Sequence, residues 1–366
     1  MTLWKCLAAQ RVPEEMTASH RVVTVGVASV AILAACAVRA GTLERAVREA
    51  EGKGETPKLT SVLALKDGKT TYEGYFGGTD AETLQDTRSA TKSITSLAAG
   101  IAIAEGRIPS VSSPAFAFLA DLKPFAHDGA TKSAITVEDL LTMSSAFDCD
   151  DNDDQSPGNE ENMYPKQVWA RWAVDLPVKA NYLRDAAGRG PFAYCTAGVF
   201  LLGQIIQRAA GMRVDRYVEE KLFKPLGIAR WQWPTSSSGE VMTGGGLRLR
   251  SRDLAALAQM LLDGGRWQGK QVVPESWVNA ALAMHRKANE SQDYGYLFWR
   301  RDYKTRCGRF SGWYMAGNGG NAIIIFKDLD AAVVVTRANY NTKGMHQQTV
   351  RLLEEYVLPE LACRPA

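Results

Sequence analysis

The chain has 366 residues, 46% of them hydrophobic and 23% charged, a composition that can bury a large globular core. Its net charge is only +3 and its basic residues are not clustered, so it lacks the electrostatic footprint of a nucleic-acid binder. The histidines His20, His127, His285 and His346 show no i, i+4 pair and the six cysteines no C-x-x-C spacing, which excludes the common zinc and dithiol motifs and calls for no cofactor.

Residues 1–40 carry the pattern of an export signal. Val22–Ala37 is an apolar run behind Arg11, His20 and Arg21, too short for a spanning helix. It closes on Leu33-Ala34-Ala35-Cys36, which resembles a bacterial lipobox and makes Cys36 a lipidation candidate. A lipoprotein signal, a plain cleaved signal, an uncleaved anchor and a start at Met16 all remain open. The expectation is an exported protein of the periplasm or cell envelope, with membrane anchorage through the N-terminus as one option. Fractionation that leaves the chain in the cytosol with residues 1–35 intact would refute it. Residues 41–58 read as a linker or entry helix.

Residues 59–366 read as one catalytic unit. Leu59–Leu65 and Thr70–Phe76 are strands around an Asp67-Gly68 turn. Ser89–Glu105 is a helix with Ile94, Leu97, Ala98, Ile101 and Ala102 at helical spacing and Gly106 as its stop. Thr136 caps a helix to Met143, with Glu138 and Asp139 in its first turn. Residues 144–190 are loop-rich. Their acidic stretch, Asp148, Asp150, Asp151, Asp153 and Asp154, fits either a solvated loop or a loop that rims a cleft or holds a cation. Helices follow at Ala197–Gly211, Val214–Leu222 and Ser251–Asp263. Ala322–Phe326 and Ala331–Thr336 form a hairpin, and Gln347–Val357 is the last helix. The order predicts an α+β fold: an antiparallel sheet built from N- and C-terminal segments, flanked by helices, with a mostly helical insertion at about 107–245.

Ser89-Ala90-Thr91-Lys92 is S-x-x-K at a helix start, which puts hydroxyl and amine on one face, about 5–6 Å apart at Cβ. A serine needs a partner for its proton. Lys92 can serve if burial or a neighbouring cation lowers its pKa. The helix N-terminus adds positive potential for an oxyanion. Tyr194-Cys195-Thr196-Ala197-Gly198 stands before an apolar helix, where a tyrosine can relay a proton. Glycines in Met315-Ala316-Gly317-Asn318-Gly319-Gly320-Asn321 let backbone approach a ligand. Met242-Thr243-Gly244-Gly245-Gly246 is a second glycine turn, read as structural. Cys149 can pair with Cys195 or Cys307 in an oxidising compartment.

These elements, in this order, resemble the serine β-lactamase-related superfamily. That group includes class C β-lactamases, D-Ala-D-Ala peptidases, esterases and 6-aminohexanoate-dimer hydrolases. ITVEDLLTMSS at 135–145, KLFKPLGI at 221–228, the glycine-led stretch at 244–265 and VVPESWV at 272–278 extend the likeness over roughly residues 59–357. The resemblance implies Ser89 as the acylated nucleophile, Lys92 as its general base and Tyr194 as proton relay. It implies backbone N–H groups of Ser89 and Asn318 as the oxyanion hole. It places Thr196, Met315, Ala316 and Gly317 at the substrate.

Two positions depart from the family pattern. Thr196 stands where the asparagine of Y-x-N is usual, and Met315 where K-T-G has the lysine that pairs with a β-lactam carboxylate. The expected activity is therefore hydrolysis of a small carboxylic ester or amide through an acyl-enzyme. A β-lactamase or D-amino-acid peptidase is the alternative within the fold. A catalytically impaired acyl-sensing or peptidoglycan-binding surface protein is the alternative of another class. Oligomeric state is not legible.

Overall fold

The computed structural model describes residues 41–363; the Val22–Ala37 run and Cys36 lie outside the described residues. An eight-stranded antiparallel sheet carries the molecule. Helix α1 (41–52) leads into β1 (Leu59–Lys66) and β2 (Lys69–Tyr75). The turn between these strands is Asp67-Gly68, both with positive φ, the left-handed pair that a two-residue hairpin demands. Two short strands, β3 (Leu84–Asp86) and β4 (Arg248–Arg250), pair with each other outside this sheet, and its other six strands come late in the chain: β5 (Arg286–Asn289), β6 (Gln292–Tyr294), β7 (Trp299–Thr305), β8 (Gly308–Gly317), β9 (Asn321–Phe326) and β10 (Ala331–Arg337). The spatial order β2-β1-β10-β9-β8-β7-β6-β5 seats the first hairpin beside the last strand. Val62 pairs with Val335 and Ala322 pairs with Val335 from the other side. The α+β fold read from the sequence is the fold observed. The expected 322–336 hairpin is β9–β10.

Central strands β1, β9 and β10 are buried on both faces, so they read as continuous apolar runs. One face packs on α1 and the C-terminal helices through Leu43, Val47, Leu352, Leu353 and Val357. The other packs on the helix at Ser251–Leu262; α2 (Thr91–Ala104), buried all round at residues 91–102, meets the sheet at β8. A helix buried on every side must pair its polar groups. Here Ser93 Oγ donates to Leu297 O at 2.6 Å and Thr95 Oγ1 to Thr243 O at 2.8 Å. Gly100 lies against the Trp277 ring, which leaves no room for a Cβ.

Between α2 and the late strands come the shorter helices. Thr136 caps α3 (Val137–Leu141), as expected, and does so through reciprocal bonds with Asp139 at 3.1 and 2.8 Å. Helix α4 (Thr196–Ala210) packs on α2, and α5 (Ser251–Leu262) packs on the sheet. Two disulfides staple the described residues, Cys149–Cys195 and Cys307–Cys363. Of the two partners open to Cys149 the structure pairs Cys195; Cys307 joins Cys363 because the C-terminal segment returns to the β7–β8 turn.

Four strands of the eight-stranded sheet escaped the sequence reading. Residues 286–317 hold Arg286, Lys287, Arg300, Arg301, Lys304 and Arg309, and their strands are exposed or half-exposed over much of their length. Outer strands of a sheet carry charge and lose the clean alternation that marks a strand.

Candidate active site

Ser89 sits in a 3-10 turn, Arg88–Ala90, ahead of α2. The residue before it, Arg88, is left-handed with φ +50°, a strained state for a non-glycine residue that its surroundings must hold. They do so with three bonds: Arg88 N–H donates to Asp86 Oδ1 at 3.0 Å, and Arg88 O accepts from Thr91 Oγ1 at 2.6 Å and from Gly246 N–H at 3.2 Å. The Arg88 guanidinium also lies 4.1 Å from the Tyr340 ring centre. The result is a fixed, half-exposed Ser89 at the entrance of a buried helix.

Lys92, one turn on, is 1% exposed. Its Nζ donates to Ser89 Oγ at 3.1 Å and to Gly244 O at 2.6 Å, and lies 4.9 Å from the Tyr194 ring centre. The glycine turn at 242–246 therefore orients the lysine through a backbone carbonyl. Burial pulls the Lys92 pKa down, but the Tyr194 phenol, Glu160 and Asp151 outweigh it and leave the ammonium above its ordinary value. This corrects the expectation of a lowered lysine: the buried amine faces acidic groups rather than a cation, and it stays charged at neutral pH.

Tyr194 lies on the extended segment that enters α4, with its ring 5.7 Å from Trp299. The acidic loop docks on the same segment. Asp151 N–H donates to Tyr194 O at 2.7 Å, and Asp151 Oδ2 accepts from Thr196 N–H at 2.7 Å. Burial lifts the Asp151 carboxyl above the usual range, with Lys92 pulling the other way and Glu160 pushing it further up. Both readings of this stretch are met in part: Asp150 and Asp151 line the cleft, while Asp153 and Asp154 are exposed to solvent. Among the described residues no cluster of three His, Cys, Asp or Glu side chains could hold a metal ion.

The far wall is the end of β8. A Cβ on Gly317 would stand 2.1 Å from Thr87 O, so only glycine lets the strand end touch the turn that carries Ser89. Asn318 follows, its side chain pinned to Asn341 by bonds of 2.7 and 2.8 Å. Ser89, Tyr194, Ala316, Gly317 and Asn318 together line a cleft of about 840 Å³, joined by Asp150, Asp151, Glu160, Phe192, Trp299 and Arg301. Thr196 and Met315 do not reach it. Thr196 is fully buried against Gly244, and Met315 is 1% exposed and packs into the core, so substrate contact is not what the structure gives these two residues.

Gly317→Ala should push the strand end away from Ser89. A misplacement near 1 Å costs about 100-fold in rate, and ester turnover should fall by that order while the far-UV spectrum is kept. Wild-type turnover in this variant would show that the strand end takes no part.

Sequence reasoning missed the Gly244 carbonyl, Trp299 and the approach of Asp151 and Glu160 to Lys92. A backbone acceptor has no side-chain signature, and the carboxylates reach the lysine only through tertiary folding.

A family model described as Beta-lactamase matches residues 43–355. A 6-aminohexanoate-dimer hydrolase of Paenarthrobacter ureafaciens is 26% identical over 288 residues, 77% of this chain and 70% of that protein. A D-stereospecific amidohydrolase from Streptomyces sp. shares the fold with TM-score 0.63 at 19% identity, covering 90% of this chain and 99% of its own. EstCE1, a hydrolase with promiscuous acyltransferase activity, aligns with TM-score 0.66 at 14% identity over 87% of this chain and 99% of its own.

Proposed function

The chain belongs to the Beta-lactamase family, and from that membership and the cleft geometry we propose that it is a serine hydrolase of small carboxylic amides or esters. The observation that carries the reading is the 3.1 Å contact from Lys92 Nζ to Ser89 Oγ, with the lysine buried and held from behind by Gly244 O. Ser89 Oγ attacks the carbonyl. The oxyanion is received by the N–H groups of Ser89 and Asn318, two residues that line the same cleft.

Lys92, whose acidic neighbours hold it above its ordinary pKa, must give up a proton before the Lys92–Tyr194 pair can accept that of Ser89. The pair returns a proton to the leaving amine or alcohol as the C–N or C–O bond breaks. Water, deprotonated by the same pair, frees the acyl group from Ser89. Activity should rise with pH, since loss of that proton generates the accepting form.

An amide or ester suits the cleft better than a β-lactam. Met315 is apolar and buried, so it offers no charge to a β-lactam carboxylate. The amidohydrolase and aminohexanoate-dimer hydrolase likenesses support the same class. The test is a panel of p-nitrophenyl esters, D-amino-acid amides, a linear aminohexanoate dimer and a chromogenic cephalosporin. Turnover of an ester or amide should exceed that of the cephalosporin by about 100-fold or more, in line with the roughly 2–5 kcal/mol lost when one partner of a buried charge pair is missing. A cephalosporin preferred over every ester and amide would overturn the assignment.

A further inference from the structure

The acidic loop and the Tyr194 segment are joined covalently next to the reacting groups. Cys195 stands between Tyr194 and Thr196, and Cys149 two residues before Asp151. Three hydrogen bonds run beside the S–S bond: Asp151 N–H to Tyr194 O, Thr196 N–H to Asp151 Oδ2, and Glu160 N–H to Asp151 Oδ1 at 2.9 Å. Gly158 presses on Cys149 so closely that a Cβ there would meet the cysteine Cβ at 2.5 Å. The Cys195 sulfur also accepts from Gly198 N–H at 3.3 Å in the first turn of α4. Both cysteines are buried, at 1% and 4% exposure.

We infer that Asp151, tethered by the Cys149–Cys195 disulfide, is a positioning residue for the Ser89–Lys92–Tyr194 centre, and that opening this disulfide slows hydrolysis without unfolding the chain. The inference rests on the serine-hydrolase reading above. Asp151 acts through its neighbours. Its backbone fixes the Tyr194 peptide, its carboxylate fixes the start of α4, and its charge faces Lys92. The groups that face Lys92 are Tyr194 from the segment before α4 and Glu160 and Asp151 from the acidic loop. Glu160 in turn accepts from the Tyr164 hydroxyl at 2.9 Å. Without the tether the loop is free to leave, and Lys92 loses acidic partners that keep it protonated. Reduction by a dithiol moves two electrons and two protons to the Cys149 and Cys195 sulfurs, which become thiols, while the reductant becomes a cyclic disulfide.

The test is a pH–rate profile of ester hydrolysis for the full chain, for Asp151→Asn, for the Cys149→Ser/Cys195→Ser double variant and for a Cys307→Ser/Cys363→Ser control. The serine-hydrolase reading is checked separately by Ser89→Ala, whose failure would be visible as retained activity in that variant alone. Asp151→Asn and Cys149→Ser/Cys195→Ser should each lower kcat by about tenfold or more, the scale of a small misplacement. Each should also move the rising limb to lower pH, because removing negative charge beside Lys92 eases loss of its proton. The control should keep both kcat and the limb.

A merely structural disulfide would lower the melting temperature and leave the limb in place. A folded Cys149→Ser/Cys195→Ser variant with wild-type kcat and limb would overturn the inference. If that variant fails to fold, Asp151→Asn and the folded wild-type chain treated with dithiothreitol decide by the same two readouts.

Discussion

Ser89→Ala removes hydrolysis by about four orders of magnitude or more, the expected size when the nucleophile of a cooperating set is lost. That is about 5.5 kcal/mol of transition-state stabilisation. The fold should not change. Ser89 Oγ is half-exposed in a turn held by Arg88, Asp86 and Gly246, and the hydroxyl supports none of those bonds. Substrate binding should persist, so KM or the affinity for a product analogue stays near wild type while kcat vanishes. Steady-state kinetics on a p-nitrophenyl ester, with thermal melting in parallel, reads both. Retention of wild-type kcat would remove Ser89 from the mechanism.

Lys92→Met is expected to cost roughly three to five orders of magnitude in kcat, again because the set acts as a unit. It should also abolish the rising limb of the pH profile, since the proton whose loss starts the reaction is gone. Stability should fall. The acidic neighbours that outweigh the burial of the Lys92 ammonium lose their partner, a loss of about 3–5 kcal/mol for a buried pair. Gly244 O, now bonded at 2.6 Å, is left without a donor, which costs about 1–3 kcal/mol more. The melting temperature should drop by roughly 10 °C or more, so the kinetics are read well below it. A folded variant that keeps its pH limb would show that another group supplies the proton acceptor.

Much of this centre was legible because its chemistry is local. Ser89 and Lys92 meet through helical spacing alone, and Tyr194 was marked by its place before an apolar helix. The sheet was legible at its interior, where β1, β9 and β10 are apolar on both faces, and illegible across β5–β8, where Arg300, Arg301 and Lys304 break the alternation. What could not be read was everything that depends on segments meeting in space. The sign of the Lys92 shift is one case. Burial alone argues for a lowered lysine, yet Tyr194, Glu160 and Asp151, 102, 68 and 59 residues away in sequence, reverse it. Thr196 and Met315 are a second case. Motif position put them at the substrate, while packing against Gly244 and the α2 core places them behind the wall. The choice of Cys195 as partner of Cys149 is a third: both partners were open until the acidic loop was seen to lie along the Tyr194 segment.

The central claim is that the Ser89 hydroxyl becomes acylated. Intact-mass and peptide-mass analysis after exposure to a fluorophosphonate, and after rapid quenching of a slow ester, measures this directly. The account predicts one adduct per chain, on the peptide that contains Ser89, absent in Ser89→Ala and formed much more slowly in Lys92→Met. An active enzyme with no adduct, or with its adduct on another residue, would contradict it.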